Sequence, residues 1–319
     1  MIIVRDLHKR FHQFEALRGI SLTVNPGEIY GFIGHNGAGK TTTLNILAGL
    51  SHPTAGTCQV NGRDVRQITH PSDLQIGYLP EDPAFSPWMS ARETLIYLAG
   101  SHTQSVKAAG RVSQLLDWVG LTESANRRVG GFSRGMRQRL GIAAALIHDP
   151  DLLILDEPSS ALDPEGRSDV LRLILQLKQQ GKTVLFSTHI LSDVERICDT
   201  VGIIAHGVMK LEKPMKEIQQ DYLMPVFDIE LAAPATPELV MSFRQDQNVL
   251  SVDIPESADF SHIGSGHLVV AVKDAPRASI TLMRLLAEHQ VPILSFSQRN
   301  HTLEDIFIQE VNGHEAGSD

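Results

Sequence analysis

The run Gly34-His35-Asn36-Gly37-Ala38-Gly39-Lys40-Thr41 has the glycine spacing and the lysine–hydroxyl ending of a loop that cradles phosphate. Glycines let backbone N–H groups approach phosphate oxygens, the N-terminus of the helix that follows favours negative charge, and Lys40 can reach the β and γ phosphates. Thr41 can offer its hydroxyl to Mg2+. The chemistry implied is that of a nucleoside triphosphate site. A second run, Leu152-Leu153-Ile154-Leu155-Asp156-Glu157-Pro158, is apolar and then ends in two acids. At the carboxyl edge of a sheet, Asp156 can reach the metal shell and Glu157 the attacking water. Alone, such acids would read as a solvated strand exit; the phosphate loop upstream makes them candidates for the site. A third run, GGFSRGMRQR at 130–139, sets small, donor-rich residues at the mouth of a helix and carries no reactive group.

Positioning these residues requires an α/β domain on a largely parallel sheet, and the first half of the chain alternates β-branched runs with helical patterns accordingly. Ile2–Asp6, Ile20–Val24, Glu28–Ile33, Leu152–Leu155 and Thr183–Ser187 read as strands. Lys40–Leu50, Ser90–Ala99, Arg111–Val119, Ser133–His148 and Val170–Gln180 read as helices. Near 217–225, Gln219-Gln220-Asp221 and Pro225 look like a linker, so residues 1–216 are expected to form the first domain and 225–312 a second. From Val226 the order is strand, helix, strand, strand, helix, strand, which is the βαββαβ order of a ferredoxin-like α+β unit. A last helix is expected over Leu303–Val311, N-capped by Thr302, and residues 313–319 read as a frayed tail.

The 319 residues carry a formal net charge of −9, with 42% apolar and 20% charged residues. That balance belongs to an acidic soluble globular chain and opposes a nucleic-acid surface. Cys58 and Cys198 form no metal-type spacing, which suits a reducing cytoplasm. The start, MIIVRDLHKRF, lacks the apolar region of a signal peptide. Leu152–Leu155 is far shorter than the roughly 20 residues that span a bilayer. Any membrane role therefore needs another chain to supply the spans. His8 and His12 have the spacing of metal ligands only on a helix, and their segment reads as strand and turn. Arg127-Arg128 and Arg137–Arg139 read as solvated faces.

Taken together, the loop at Gly34–Thr41, the strand at Leu152–Glu157 and the segment Ser160-Ala161-Leu162-Asp163 resemble the nucleotide-binding subunit of an ATP-binding-cassette transporter, exporter-type with a C-terminal extension. The resemblance covers about the first two-thirds of the chain and implies a P-loop cassette with a sheet core and a helical subdomain. It implies ATP at Gly34, Asn36, Gly37, Ala38, Gly39, Lys40, Thr41 and Thr42, with Phe11 stacking on adenine. It implies Mg2+ at Thr41 and Asp156, with Glu81 at the position where the family commonly has a glutamine. Glu157, His189 and Lys40 become the catalytic set, and Asp163 an aspartate at a dimer seam. Ser133-Arg134-Gly135-Met136 matches, in altered form, the family signature that presents donors to ATP held by the other subunit. The implied partners are a second copy of the chain and a membrane-spanning permease, with the chain peripheral on the cytoplasmic face of the membrane and no nucleic acid bound.

The chain departs from the family pattern at Phe132, Arg134, Met136 and Glu81, while Glu157 is intact, so turnover is expected. Phe85-Ser86-Pro87-Trp88-Met89 places apolar side chains on a loop after Glu81 and suits a groove that grips a permease helix. Two rivals are weaker. A soluble cassette ATPase acting on nucleic acid or ribosomes usually has a coiled-coil insertion or a second cassette, and only 93 positions (133 minus 40) separate Lys40 from Ser133. A module that binds ATP without turnover is opposed by Glu157 and His189.

Overall fold

The structure is a computed structural model of the chain and describes residues 1–100, 106–160, 162–221, 225–254, 266–300, 303, 304, 306 and 307. It divides into two compact units, Met1–Met215 and Lys216–Asp319.

The first unit opens with a long hairpin of β1 (Ile2–Phe11) and β2 (Phe14–Val24), turned at His12, whose φ of +54° is left-handed. Both strands outrun their sequence-read limits. Their polar outer positions and register shifts hide the alternation that would have revealed them. After β3 (Ile29–Ile33) and α1 (Lys40–Leu47), β4 (Ala55–Val60) returns to pair with β1, and β5 (Arg63–Asp64) joins β4. These four strands form an antiparallel sheet in the order β2-β1-β4-β5, which the sequence reading did not anticipate. Helix α1 stops before Leu50 because the chain turns at Gly49, with φ +72°.

The second sheet takes β6 (Ile76–Leu79), then the helices α2 (Ala91–Leu98), α3 (Val106–Trp118) and α4 (Arg134–Ala145) intervene before β7 (Leu152–Leu155). It continues through α5 (Pro164–Gln179), β8 (Thr183–Thr188), α6 (Leu191–Ile197), β9 (Thr200–Ala205) and β10 (Val208–Pro214). The strand order is β10-β9-β3-β8-β7-β6, with every neighbouring pair parallel except β9 and β10. Strands β3, β7 and β8 are buried along their whole length, which is why apolar residues fill β3 and β7 and the centre of β8. Leu152, Ile154, Phe32 and Leu185 from this sheet join Leu7, Leu22 and Val60 of the other in one core. Because β3, β8, β7 and β6 are adjacent and parallel, the loops after all four emerge at one edge of the sheet.

Gln219, Gln220 and Asp221, read as linker, belong instead to helix α7 (Met215–Asp221). Only Met215 and Ile218 of that helix are apolar and buried, so little periodicity marks it. The second unit runs β11 (Pro225–Leu231), α8 (Pro237–Gln245), β12 (Val249–Asp253), β13 (Gly266–Val272), α9 (Ala275–Glu288) and β14 (Ile293–Asn300). Its strands pair antiparallel in the order β12-β13-β11-β14, so the two βαβ halves interleave. Thr236 and Asp274 cap α8 and α9, whose Leu239, Phe243, Leu282 and Leu286 pack on Phe227, Ile229, Leu268 and Val270. Leu303, Glu304, Ile306 and Phe307 are helical; the rest of the helix expected over 303–311, and the tail 313–319, lie outside the described residues.

Candidate nucleotide site

The buried strand β3 delivers the phosphate loop directly. A Cβ on Gly34 would fall 2.5 Å from the Ile204 carbonyl oxygen, so only glycine lets the loop leave past β9. Gly39 caps α1 with φ +111°, a conformation that favours glycine, and a Cβ there would strike Leu17 at 2.7 Å. Lys40, 6% exposed, donates from Nζ to the Gly34 carbonyl at 2.6 Å and the His35 carbonyl at 3.3 Å. The same ammonium lies 3.1 Å from Glu157 Oε1.

Strand β7 ends in Asp156 and Glu157, both buried. The Asp156 backbone N–H donates to Leu79 at 2.8 Å, tying the strand exit to β6, and its Oδ1 accepts from Ser187 Oγ at 2.6 Å. Burial pushes the Asp156 carboxyl above the usual carboxylate range, opposed by hydrogen bonds from Ser187 and Thr41 and helped by the neighbouring Glu157 charge. Glu157 adopts a left-handed φ of +47° and donates its N–H to Ser187 Oγ at 2.9 Å. That turn aims its carboxylate back across the loop: Oε2 meets His189 Nδ1 at 3.0 Å, while buried Oε1 has the Lys40 charge but no hydrogen bond.

These groups share one open cleft of about 410 Å³. Its walls include the phosphate loop with Thr41 and Thr42, Glu81 after β6, Glu157 and Ser160 after β7, and His189 after β8. Ala38 and Gly34 frame the loop without facing the cleft, and Asp156 lies beneath it. The aromatic on the wall is Phe14, where the sequence reading expected Phe11. The two are opposite partners across the hairpin, and the Phe11 ring sits 4.8 Å from the Lys9 ammonium on the same strand. Phe11 is thus drawn to the cation and Phe14, 64% exposed, takes the cleft. Sequence reasoning also gave no role to Ser187, which bonds both acids; its signal was a hydroxyl following the apolar residues Val184, Leu185 and Phe186 in a fully buried strand.

Ser133, Arg134 and Gly135 line a different cleft, of about 550 Å³, together with Leu162, Asp163 and Gly166. Ser133 caps α4, its Oγ accepting from the Met136 N–H at 3.2 Å, while Met136 itself stays off the cleft wall. The backbone leading into this turn is held by the loop that follows Glu81: Val129 N–H donates to Met89 at 2.9 Å and Gly130 N–H to Pro87 at 3.1 Å. On that loop and on α2, Trp88 and Tyr97 are exposed at 75% and 74%. One chain therefore brings Lys40, Thr41, Glu81, Glu157 and His189 together, and keeps the Ser133 turn and Asp163 apart from them.

An all-oxygen set of the Thr41 hydroxyl and the Asp156 and Glu81 carboxylates suits a hard cation such as Mg2+, which takes one or two carboxylates and completes its shell with substrate phosphates and water. No group of three His, Cys, Asp or Glu side chains able to cage a metal occurs among the described residues. No helix among them is long and apolar enough to cross a membrane.

Residues 17–160 match the family model "ABC transporter", and residues 214–311 match "ATP-binding protein DrrA1-3-like, C-terminal domain". An uncharacterized ABC transporter ATP-binding protein of Bacillus subtilis, YxlF, is 37% identical over 98% of this chain and 100% of its own length. The Nod factor export ATP-binding protein I of Burkholderia lata is 38% identical over 73% of this chain and 77% of its own. A solved dimeric bacterial ABC transporter cassette superposes with a TM-score of 0.62 at 25% identity, over 67% of this chain and 99% of that one.

Proposed function

The chain belongs to the ABC transporter ATP-binding proteins, and from that premise we propose that two copies close head to tail around ATP and drive export through a membrane-spanning permease. As a member of that family it is an ATPase that energises transport through a separate membrane subunit. The observation that carries the mechanism is Glu157 Oε1: a buried carboxylate oxygen without a hydrogen bond, beside Lys40 and on the wall of the phosphate cleft.

Glu157 Oε1 accepts a proton from water as the water oxygen attacks the γ-phosphorus in line with departing ADP. His189 orients the carboxylate through Oε2 and reaches the γ-phosphate from the far wall. Lys40 and the loop N–H groups hold the β and γ phosphates, with Asn36 and Thr42 at the loop rim and Phe14 taking the place at the base that Phe11 was expected to fill. Thr41 and Asp156, with Glu81, would hold Mg2+, which when bound neutralises charge on the phosphates. Ser133, Arg134 and Gly135, with Asp163 beside them, present donors to the ATP of the other copy, because in one chain they line a separate cleft.

The permease reading draws on the exposed Trp88 and Tyr97 beside a loop hydrogen-bonded to the entry of the signature turn, so force on that loop bears on the turn. Export follows the Nod factor export relative. The chain would then lie on the cytoplasmic face of the membrane, held there by its partner. The test is affinity purification of a tagged Glu157→Gln form from native membranes with ATP and Mg2+. A multi-span membrane protein in near-equal amount is the expected companion; ribosomal or DNA-bound material without one would overturn the reading.

A further inference from the structure

One carboxylate off the cleft wall is buried as deeply as the catalytic acids. Asp193 is 0% exposed, against 1% for Asp156 and 5% for Glu157. A carboxylate without water needs donors, and Asp193 draws them from two other segments. Ser159 Oγ donates to Oδ2 at 2.9 Å, and Arg167 Nε donates to Oδ1 at 2.7 Å. Arg167 Nη2 also lies 2.6 Å from Oδ1 and donates to Ser192 Oγ at 2.8 Å.

Each of these residues sits beside a candidate site residue. Ser159 follows Glu157 and Pro158 on the exit from β7, and is 1% exposed. Asp193 stands in the first turn of α6, just after the His189 loop. Arg167 stands in the first turn of α5; its backbone N–H donates to the Asp163 carbonyl at 2.9 Å, and the Asp163 side chain caps the helix through Gly166 at 3.3 Å. None of Ser159, Arg167 and Asp193 lines the phosphate cleft.

We propose that Asp193 is a positioning residue for hydrolysis: through Arg167 and Ser159 it fixes the His189 loop and the Asp163 helix start against the strand exit that carries Glu157. This rests on the reading of Glu157 and His189 as groups at the reacting phosphate. A buried ion pair stabilises a fold no better than apolar side chains of the same volume, but its directed bonds fix orientation. Orientation is what the Glu157–His189 contact at 3.0 Å requires, since each partner stands at the end of a different strand. Through the same carboxylate, Asp163 on the signature cleft is held in register with Glu157 on the phosphate cleft.

The experiment compares purified full-length chains carrying Asp193→Asn, Ser159→Ala, Arg167→Lys or Arg167→Met with the parent and with Glu157→Gln. Steady-state ATP hydrolysis is normalised to the sites that bind a fluorescent ATP analogue. Asp193→Asn is expected to lower kcat by about 10- to 100-fold with KM for ATP within about threefold, because the phosphate loop is untouched. Ser159→Ala is expected to lower kcat by roughly 3- to 10-fold, and Arg167→Lys to retain more kcat than Arg167→Met. A kcat per binding-competent site within about twofold of the parent in Asp193→Asn and Ser159→Ala would overturn the proposal, as would a raised KM at constant kcat. If Asp193→Asn does not fold, Ser159→Ala and the Arg167 pair decide the matter by the same criteria. Full hydrolysis in Glu157→Gln would instead sink the reading of the site, whatever the Asp193 variants do.

Discussion

In the phosphate cleft the charged groups already face one another: Lys40 lies 3.1 Å from Glu157, and Glu157 3.0 Å from His189. Beneath them Asp156 accepts from Ser187. The start of α4 is the reverse. Its first turn holds no acid, Arg134 forms no ion pair among the described residues, and Ser133 spends its hydroxyl oxygen capping Met136. A cation at a helix N-terminus is electrostatically unfavourable, so Arg134 carries a local cost within its own helix, with Asp163, Glu165 and Asp169 on the same cleft wall. On the proposed dimer, that difference makes the two clefts two halves of one site. In that dimer the first would supply the hydrolytic groups, and the second the Arg134 cation and the donors of the Ser133 turn.

The strongest way to break that division is to remove the carboxylate that the first half places between Lys40 and His189. Glu157→Gln keeps the shape and the His189 contact but loses the carboxylate, and should lower phosphate release by about 10²- to 10⁴-fold while ATP binding persists. Phosphate release by purified protein and retention of a labelled nucleotide on the same sample check it. Next in size is a mixing experiment. A Cβ on Gly135 would meet Leu162 at 3.7 Å, an ordinary contact, so Gly135→Asp is expected to fold while placing a negative charge where a partner's phosphate approaches. Lys40→Ala disables the other half. Each variant alone should be nearly inactive, and a co-assembled mixture should recover up to roughly a quarter of parent activity, since random pairing leaves one intact composite site in half the dimers. No recovery in dimers shown to be mixed would mean that both halves act within one chain.

How far these halves could be seen in advance depended on how local their physics is. The phosphate loop and the β7 acids were legible because the first works through backbone geometry that glycine spacing dictates, and the second ends a strand buried on both faces. The βαββαβ order of the second unit was legible for a similar reason: capped helices alternate there with short apolar strands. The antiparallel sheet was not, because β4 buries only Cys58 and Val60 and β1 shifts register along its length. Ser187 and the Asp193–Arg167–Ser159 cluster were invisible because polar residues that meet only after folding leave no periodic trace.

Phe14 is a smaller difference of the same kind: it lines the first cleft, and Phe11 does not. Phe11 and Phe14 pair directly across the hairpin, so composition and spacing treat them alike, and only the Lys9 ammonium beside Phe11 separates them. If Phe14 carries the base contact, Phe14→Ala should raise KM for ATP by about 3- to 10-fold, the loss of one aromatic stack, with kcat nearly unchanged. Phe11→Ala should stay within about twofold. Steady-state kinetics on both variants with ATP decide between them, and the reverse order would restore Phe11 to the site.

The smallest effect tests the second half most directly, because the two measurements involved are predicted to move in opposite directions. Arg134 at the first position of α4 opposes the helix dipole, so Arg134→Ala should stabilise the folded chain, by about 0.3–1 kcal/mol in denaturant melts at low salt. The same substitution removes a cation that the composite site would hold near phosphate, and should lower turnover by roughly 2- to 5-fold. Added salt should shrink the stability gain, because an exposed charge is screened beyond a Debye length of about 8 Å at physiological ionic strength. A residue that weakens its own helix and speeds the reaction is kept for the reaction. If Arg134→Ala gains stability and keeps full turnover, the cation is only a solvated side chain, and the claim of the α4 turn on the partner's phosphates rests on its backbone donors alone.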